Sequence, residues 1–194
     1  MTLTCVPGER THMRRSLFLA INSAAVAGLI GLATSPALAD ASPAILAAFV
    51  TTLNQPSYHM TMASKGTDTT ETDFVKPDKM HILSKDVDSI VIGSTMYVKM
   101  SGKWTKMDAK GLWSDPLDAV KQMQTHHADY TSADLGTLTA GGVSYHAYRM
   151  TDAKKHLSQT VFIDAAGRIG RIEISGIVIT FSKYGEAFSI QPPM

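Results

Sequence analysis

Two segments of the chain carry a large apolar side chain at every second position. They are SYHMTMAS, residues 57–64, and TMYVKM, residues 95–100. Successive side chains of a β-strand point to opposite faces, so this period predicts strands with one buried face. A helix would instead need apolar residues three and four positions apart. The strongest local pattern therefore predicts half-buried β-strands.

The order of the predicted elements restricts the fold further. A helix over 42–53 begins at Ser42 and Pro43, and its predicted apolar stripe is Ile45, Leu46, Phe49, Val50 and Leu53. About six short strands joined by turn residues follow, then a second helix that starts at Ser114, then four or five further strands. Strands and helices do not alternate, which predicts an antiparallel sheet. We expect a mainly β (α+β) fold in which a strongly curved sheet of about ten strands carries two helices on its concave side.

The amino-terminal segment has the pattern of a secretory signal peptide. Arg14 and Arg15 precede an apolar stretch, and residues 37–39 form an A-x-A cleavage signal. We expect residues 1–39 to be removed before Asp40, and residues 1–12 to lie upstream of the true start at Met13. A long n-region that includes residues 1–12 is the alternative. A retained membrane anchor is the alternative. The mature protein, residues 40–194, is expected to be a single domain in the periplasm.

The cysteine count and the charge exclude several classes of protein. Cys5 is the only cysteine and lies in the leader, so the mature chain has no disulfide, no cysteine metal ligand and no cysteine for a lipid anchor. The chain has 18 basic and 17 acidic side chains, with the lysines scattered. Nucleic-acid binding needs a clustered basic surface. We therefore expect neither a nucleic-acid partner nor a cofactor.

Methionine occupies many positions where valine or isoleucine would favour a strand more strongly. The hairpin around residues 101–102 is predicted to pair Met100 with Lys103, Val98 with Thr105, and Met96 with Met107, all on one face. Methionine adapts to ligands of varied shape, so this face is interpreted as a hydrophobic binding surface. The alternative is an ordinary core filled by methionine. The predicted lining residues are Phe49, Tyr58, Met60, Met62, Met80, Ile82, Met96, Val98, Met100, Met107, Trp113, Leu117 and Met150.

A copper site is an alternative, because thioether and imidazole ligands suit that metal. The candidate ligands are Met60, Met62, His59, His81, His126, His127, His146 and His156. His59, however, points away from Met60 and Met62 on a strand, and no H-x-x-x-H spacing occurs. For catalysis, the chain has no G-x-S-x-G elbow and no carboxylate pair in a recognisable context. We therefore expect no metal site and no enzymatic activity.

Five segments together carry a resemblance to a known group of proteins. They are the helix after the leader, FVKPDKMHI (74–82), GSTMYVKMSGKWTKM (93–107), GGVSYHAYRM (141–150) and VFIDAAGRIGRIEI (161–174). In their order and spacing the chain resembles the periplasmic lipoprotein-carrier superfamily, with its LolA-like and LolB-like members and its LppX/LprG-like lipid-binding branch. This resemblance implies an unclosed antiparallel half-barrel with helices in its mouth. The functional arginine pattern of LolA carriers is missing, since the mature part has only Arg149, Arg168 and Arg171.

The resemblance implies a periplasmic binding or carrier protein for a lipid, a lipoprotein acyl chain or another hydrophobic molecule. The ligand would be held non-covalently between sheet and helices. We expect a monomer whose contact with the membrane is only transient, with an envelope protein as a candidate partner. The alternative is an envelope protein-interaction or sensor module that has the same fold and a filled core.

Overall fold

A computed structural model describes residues 42–65, 68–110, 120, 121, 125, 129–152 and 156–193. The described part contains one helix with assigned bounds, α1 (Ser42–Leu53), and eleven strands. The strands are β1 (Ser57–Ser64), β2 (Thr70–Val75), β3 (Lys79–Leu83), β4 (Asp88–Ile92), β5 (Thr95–Met100), β6 (Lys103–Asp108), β7 (Tyr130–Ala140), β8 (Val143–Asp152), β9 (Leu157–Ile163), β10 (Ile169–Ile174) and β11 (Ile177–Ser182). The expected mainly β class is confirmed.

All the strands belong to one antiparallel sheet, in the order β6-β5-β4-β3-β2-β1-β11-β10-β9-β8-β7. Strands that follow each other in the chain are neighbours in the sheet, except β6 and β7, which form the two edges of the described sheet. The first strand, β1, pairs with the last strand, β11. This up-and-down sheet matches the expected unclosed barrel. Strand direction alternates across the sheet, and the number of described strands is odd, so the edge strands β6 and β7 run parallel to each other in direction. Ala109 and Asp129, which follow β6 and precede β7, thus lie towards opposite ends of the sheet.

The hairpin between β5 and β6 has the predicted register. Met100 lies opposite Lys103, and Met96 lies opposite Met107. The turn residues Ser101 and Gly102 both have positive φ, at 51° and 80°. Positive φ at both central residues gives a two-residue turn the twist of the strands that it joins. The local turn therefore sets which side chains of this hairpin share a face.

One face of the sheet carries most of the buried side chains, and we call it the inner face. The register passes the inner face from strand to strand, so that Met60 lies opposite Thr72 and Phe181, and Met80 lies opposite Phe74 and Val91. Side chains directly opposite each other in neighbouring strands lie on the same face. The buried apolar members of the inner face include Phe74, Met80, Ile82, Val91, Met96, Val98, Met150, Val161, Ile172 and Ile179.

Helix α1 packs against β9 and β10. Its buried residues are Ile45, Ala48, Phe49 and Thr52. Their spacing of three and four positions forms one stripe along the helix. The Oγ1 atom of Thr52 accepts a hydrogen bond of 2.8 Å from the buried N–H of Ile169, and the hydroxyl of Tyr184 donates to the carbonyl of Ile169. The start of β10 is therefore held from two sides.

The predicted stripe of α1 was wrong in part. Leu46, Val50 and Leu53 are only partly buried, whereas Ala48 and Thr52 are buried. Hydropathy predicts that the leucines face the sheet. At the contact with β10, however, the small residue Ala48 and the hydrogen-bond acceptor Thr52 are buried instead. The rotation of the helix is therefore set by its fit to the sheet.

The predicted second helix lies mostly outside the described residues. Val120, Lys121 and Thr125 are helical, and the hydroxyl of Thr125 donates to the carbonyl of Lys121 at 2.9 Å. A second helix on the concave side stays a prediction. In the described part of the chain, no helix combines the length and the apolar character needed to cross a bilayer.

Candidate functional site

The strand residues predicted to line a hydrophobic site all lie on the inner face. Cross-strand pairing places them there through the register of β1 to β6 and of β8. They are Tyr58, Met60, Met62, Met80, Ile82, Met96, Val98, Met100, Met107 and Met150. Phe49 is buried on α1, which packs against the same sheet. Trp113 and Leu117 lie outside the described residues.

These residues differ greatly in exposure, and several are packed as an ordinary core. Met96 is 3% exposed and Val98 is 2% exposed, so substitutions at either position would act first on folding. Tyr58 lies at the end where β1 begins, which we call the upper end. Its ring is 5.0 Å from the ring of Phe74 and 5.9 Å from that of Phe181, measured between centroids. An aromatic cluster therefore fills the upper end.

The opposite, lower end of the central strands is more open. We call the inner-face residues Met60, Met62, Ile174 and Ile177, which are all partly exposed, the apolar patch. Ile174 lies opposite Ile177. Met62 lies opposite Ile179, which follows Ile177 on the inner face of β11. Buried Ile172 and Ile179 continue the same face towards the upper end. An apolar surface reachable from solvent thus runs without interruption into the packed core.

The two isoleucines of the apolar patch were not among the predicted lining residues. A signal for them exists, because apolar side chains recur at every second position in IGRIEI and IVITF. Their proximity to Met60 and Met62 depends on the pairing of β1 with β11, the first and the last of the described strands. No local pattern predicts that pairing.

Met100 and Met107 lie at the exposed edge of the inner face. Met100 is 50% exposed and Met107 is 41% exposed, both on the hairpin that ends the sheet at β6. They share the face with the other methionines but do not lie in its covered part. They form the rim of the inner face.

A group of polar side chains lies at the lower end beside β7, and we call it the polar corner. It consists of Asp129, Tyr130, Ser132, Asp152 and Gln159. Tyr130 lies opposite Asp152, Ser132 opposite Met150, and Met150 opposite Gln159, so β7, β8 and β9 all contribute. Burial raises the pKa of the Tyr130 hydroxyl, and the carboxylates of Asp129 and Asp152 raise it further. Both carboxylates therefore lie near this hydroxyl. No local sequence pattern marks this group, and it was not predicted.

Two histidines of the sheet bond carboxylates. His59 bonds Asp73 at 2.7 Å and His81 bonds Asp88 at 3.0 Å, both on the outer face of the sheet. Within the ranges that the structure describes, no group of three or more histidine, cysteine or acidic residues has the arrangement of a metal site. His126 and His127 lie outside those ranges.

Comparison of the whole chain with known proteins gives matches among solved structures only. No protein-family model matches the sequence, and no curated protein matches it. The lipoprotein LppX of Mycobacterium tuberculosis matches with a TM-score of 0.54 and 19% identity, over 78% of this chain and 100% of LppX. LprF of Mycobacterium bovis matches with a TM-score of 0.57 and 16% identity, over 82% of this chain and 99% of LprF.

MucB is a third match, with a TM-score of 0.52 and 14% identity, over 82% of this chain and 65% of MucB. The open antiparallel sheet with a helix packed on it is thus shared with all three proteins. The resemblance to LppX-like proteins is confirmed as a likeness of fold.

Proposed function

We propose that this chain, which has the fold of LppX and LprF, is an exported protein that binds a lipid or another hydrophobic molecule non-covalently. The observation that carries the proposal is the apolar patch. Met60, Met62, Ile174 and Ile177 are partly exposed at the lower end of the central strands, where a globular domain would normally cover apolar side chains. The ligand would lie over this patch, between the sheet and the elements on its inner side.

Methionine suits such a site. Its unbranched side chain has three rotatable bonds and a polarisable sulfur, so it adjusts to ligands of different shape. Each methylene of a ligand that leaves water contributes roughly 0.8 kcal/mol. An acyl chain can therefore bind without an ion pair, which fits an inner face that is mostly apolar.

Export is the second part of the proposal. Residues 1–39 carry the signal-peptide pattern, and the mature protein would begin at Asp40 in the periplasm. Amino-terminal sequencing of the protein recovered from the periplasmic fraction tests this directly. A mature start at Asp40 is expected, and recovery of the uncleaved chain in the membrane fraction would contradict it.

A second candidate function is an envelope protein-interaction module. MucB, which shares the fold, has been solved in a complex with MucA. In this chain the edge strands β6 and β7 each have one sheet neighbour among the described strands, so either edge offers backbone groups to an added strand. Under this hypothesis the inner face would be filled by the protein itself and would take up no ligand.

Native mass spectrometry of the protein purified from intact cells separates the two functions. A bound mass that is lost on solvent extraction and recovered as a stoichiometric lipid supports the carrier. The extracted protein is then offered a fluorescent apolar probe. Protein that is empty when purified and that also fails to take up the probe would contradict the carrier and favour the interaction module.

A matched pair of variants tests the location of the site. Met62 and Ala63 are adjacent on β1, both partly exposed, and their side chains lie on opposite faces of the sheet. Met62→Asp is expected to abolish probe uptake, while Ala63→Asp is expected to leave it intact. Circular dichroism of both variants confirms that each is folded. Equal uptake by the two folded variants would exclude the inner face as the site.

A further inference from the structure

Within the described part of the chain, three residues of the polar corner, Asp129, Ser132 and Gln159, have buried polar atoms without the partners that burial normally requires. Asp129 is 1% exposed, and Gln159 is 7% exposed. Among the described residues, neither carboxylate oxygen of Asp129 has a hydrogen-bond partner, and the same holds for Oε1 of Gln159 and Oγ of Ser132. Buried polar atoms that are left unpaired destabilise a fold, so such a group needs an explanation.

These unpaired atoms share one chemical character. The carboxylate oxygens and the amide oxygen can only accept hydrogen bonds, and the serine hydroxyl accepts as well as donates. Asp152, on the neighbouring strand, adds a second buried carboxyl group. The corner is therefore rich in acceptors and in potential negative charge. A group that donates hydrogen bonds would satisfy it, whereas an anion would be repelled.

The polar corner adjoins the apolar patch. Gln159 lies opposite Ile174 of the patch, and Ile174 lies opposite Ile177. On its other side Gln159 lies opposite Met150, which lies opposite Ser132. Neighbouring strands are about 4.8 Å apart, so Gln159 on β9 is about 14 Å from β1 along the sheet. One elongated molecule can therefore span from Met62 to the corner along the inner face.

We infer that the polar corner binds the polar end of an amphipathic ligand, and that this end donates hydrogen bonds and carries no negative charge. An ammonium group or a hydroxyl group has this chemistry. The apolar part of the same ligand would lie over the apolar patch, so the inference rests on the proposed function and specifies its ligand class. Asp129 would accept from the polar end, and Gln159 would guide it there.

The inference is tested by displacement of a neutral fluorescent apolar probe from the purified protein by dodecylamine, dodecanol and dodecyl phosphate at neutral pH. The three competitors have the same alkyl chain and differ only in the polar end, which is positively charged, neutral or negatively charged. Dodecylamine is expected to displace the probe most effectively, and dodecyl phosphate is expected to bind at least about tenfold more weakly. Equal strength for all three, or a preference for the phosphate, would overturn the inference.

Variants connect the ranking to the polar corner. Asp129→Asn keeps the size of the side chain and removes its charge, so the advantage of the amine over the phosphate is expected to shrink about tenfold. Asp86→Asn is the matched control, because Asp86 is exposed in the turn between β3 and β4. The three competitors should rank in the same order for this variant as for the wild type. An unchanged ranking in folded Asp129→Asn would refute the role of Asp129.

Two further outcomes keep the test decisive. If Asp129→Asn fails to fold, Gln159→Met serves instead, because it removes a hydrogen-bond acceptor and keeps a side chain of similar size. This variant is expected to bind dodecanol more weakly and to bind the probe as the wild type does. An unchanged dodecanol affinity would then contradict the inference. If the wild type binds neither the probe nor any amphiphile, the proposed function itself fails, whereas binding of all amphiphiles with a flat ranking removes only the assignment of the polar corner.

Discussion

The hydrogen bond between Thr52 and the N–H of Ile169 is predicted to fix α1 on the sheet. Thr52→Val keeps the branched shape of the side chain and replaces the hydroxyl by a methyl group. The buried N–H of Ile169 then loses its acceptor at a site where Thr52 is 1% exposed. An unpaired buried donor costs roughly 1–3 kcal/mol, so the free energy of unfolding should fall by that amount. The melting temperature should fall by about 2–4 °C for each kcal/mol.

Two further variants separate the hydroxyl from packing. Thr52→Ser keeps the hydroxyl and loses one methyl group, which is expected to cost about 0.8 kcal/mol plus a small cavity term. Thr52→Ala loses both groups. The contribution of the hydroxyl is therefore measured twice, as the difference between wild type and Thr52→Val and as the difference between Thr52→Ser and Thr52→Ala.

Urea unfolding at 25 °C, followed by circular dichroism, gives the four free energies of unfolding. Agreement of the two differences at or above about 1 kcal/mol supports the argument. If both differences were below about 0.5 kcal/mol, the hydrogen bond would not anchor the helix, and apolar packing of the α1 stripe would be the cause of its position.

Three other predictions follow from single contacts. Gly170→Ala would place a Cβ atom 2.3 Å from Cε1 of Tyr145, so we expect a loss of about 1–3 kcal/mol in urea unfolding that largely disappears in a Tyr145→Ala background; an equal loss in that background would contradict the clash. The pKa of Asp134 is lowered, first by the hydrogen bond from the N–H of Gly136 and then by the neighbouring histidine. The ionised Asp134 therefore stabilises the fold at pH values above its ordinary pKa of 3.8, and this stabilisation is lost as the pH falls through the lower pKa of the folded state. Asp134→Asn should have a lower melting temperature than wild type at pH 7 and the same melting temperature at the acid limit. A difference in melting temperature that stays constant across pH would refute this. The pKa of Tyr130 is raised, so its contribution is complete below the ordinary value of 10.0 and is lost above it. Thermal melts of Tyr130→Phe should therefore fall less steeply than those of wild type above pH 10, and parallel curves would exclude the effect.

The strand content and the identity of the inner face could be predicted because both follow from short-range rules. A period of two assigns side chains to faces, and a two-residue turn sets the register of a hairpin. The pairs Met96 with Met107 and Met100 with Lys103 were therefore predicted correctly. Met60, Met80 and Met150 also lie on this face, but the local rules alone do not relate their three strands to one another.

The candidate site could be predicted only in part. Local alternation does not distinguish Met96, which is buried, from Met100, which is half exposed, because both occupy equivalent positions of one strand. Exposure depends on which element covers a strand and on whether that strand is at an edge. The ligand-binding role of the predicted residues stays a proposal, and the experiments on Met62 and Ala63 address it.

By itself, the sequence determined the kind of fold: half-buried antiparallel strands joined by tight turns, preceded by a short amphipathic helix and a leader with the signal-peptide pattern. These features depend on residues that are close together along the chain. The tertiary structure alone decided that β1 pairs with β11, that Thr52 rather than a leucine meets the sheet, and that Gln159 lies beside an apolar patch while Asp129 and Asp152 lie near Tyr130. Each of these depends on contacts between residues distant in sequence, which form only when the whole sheet assembles.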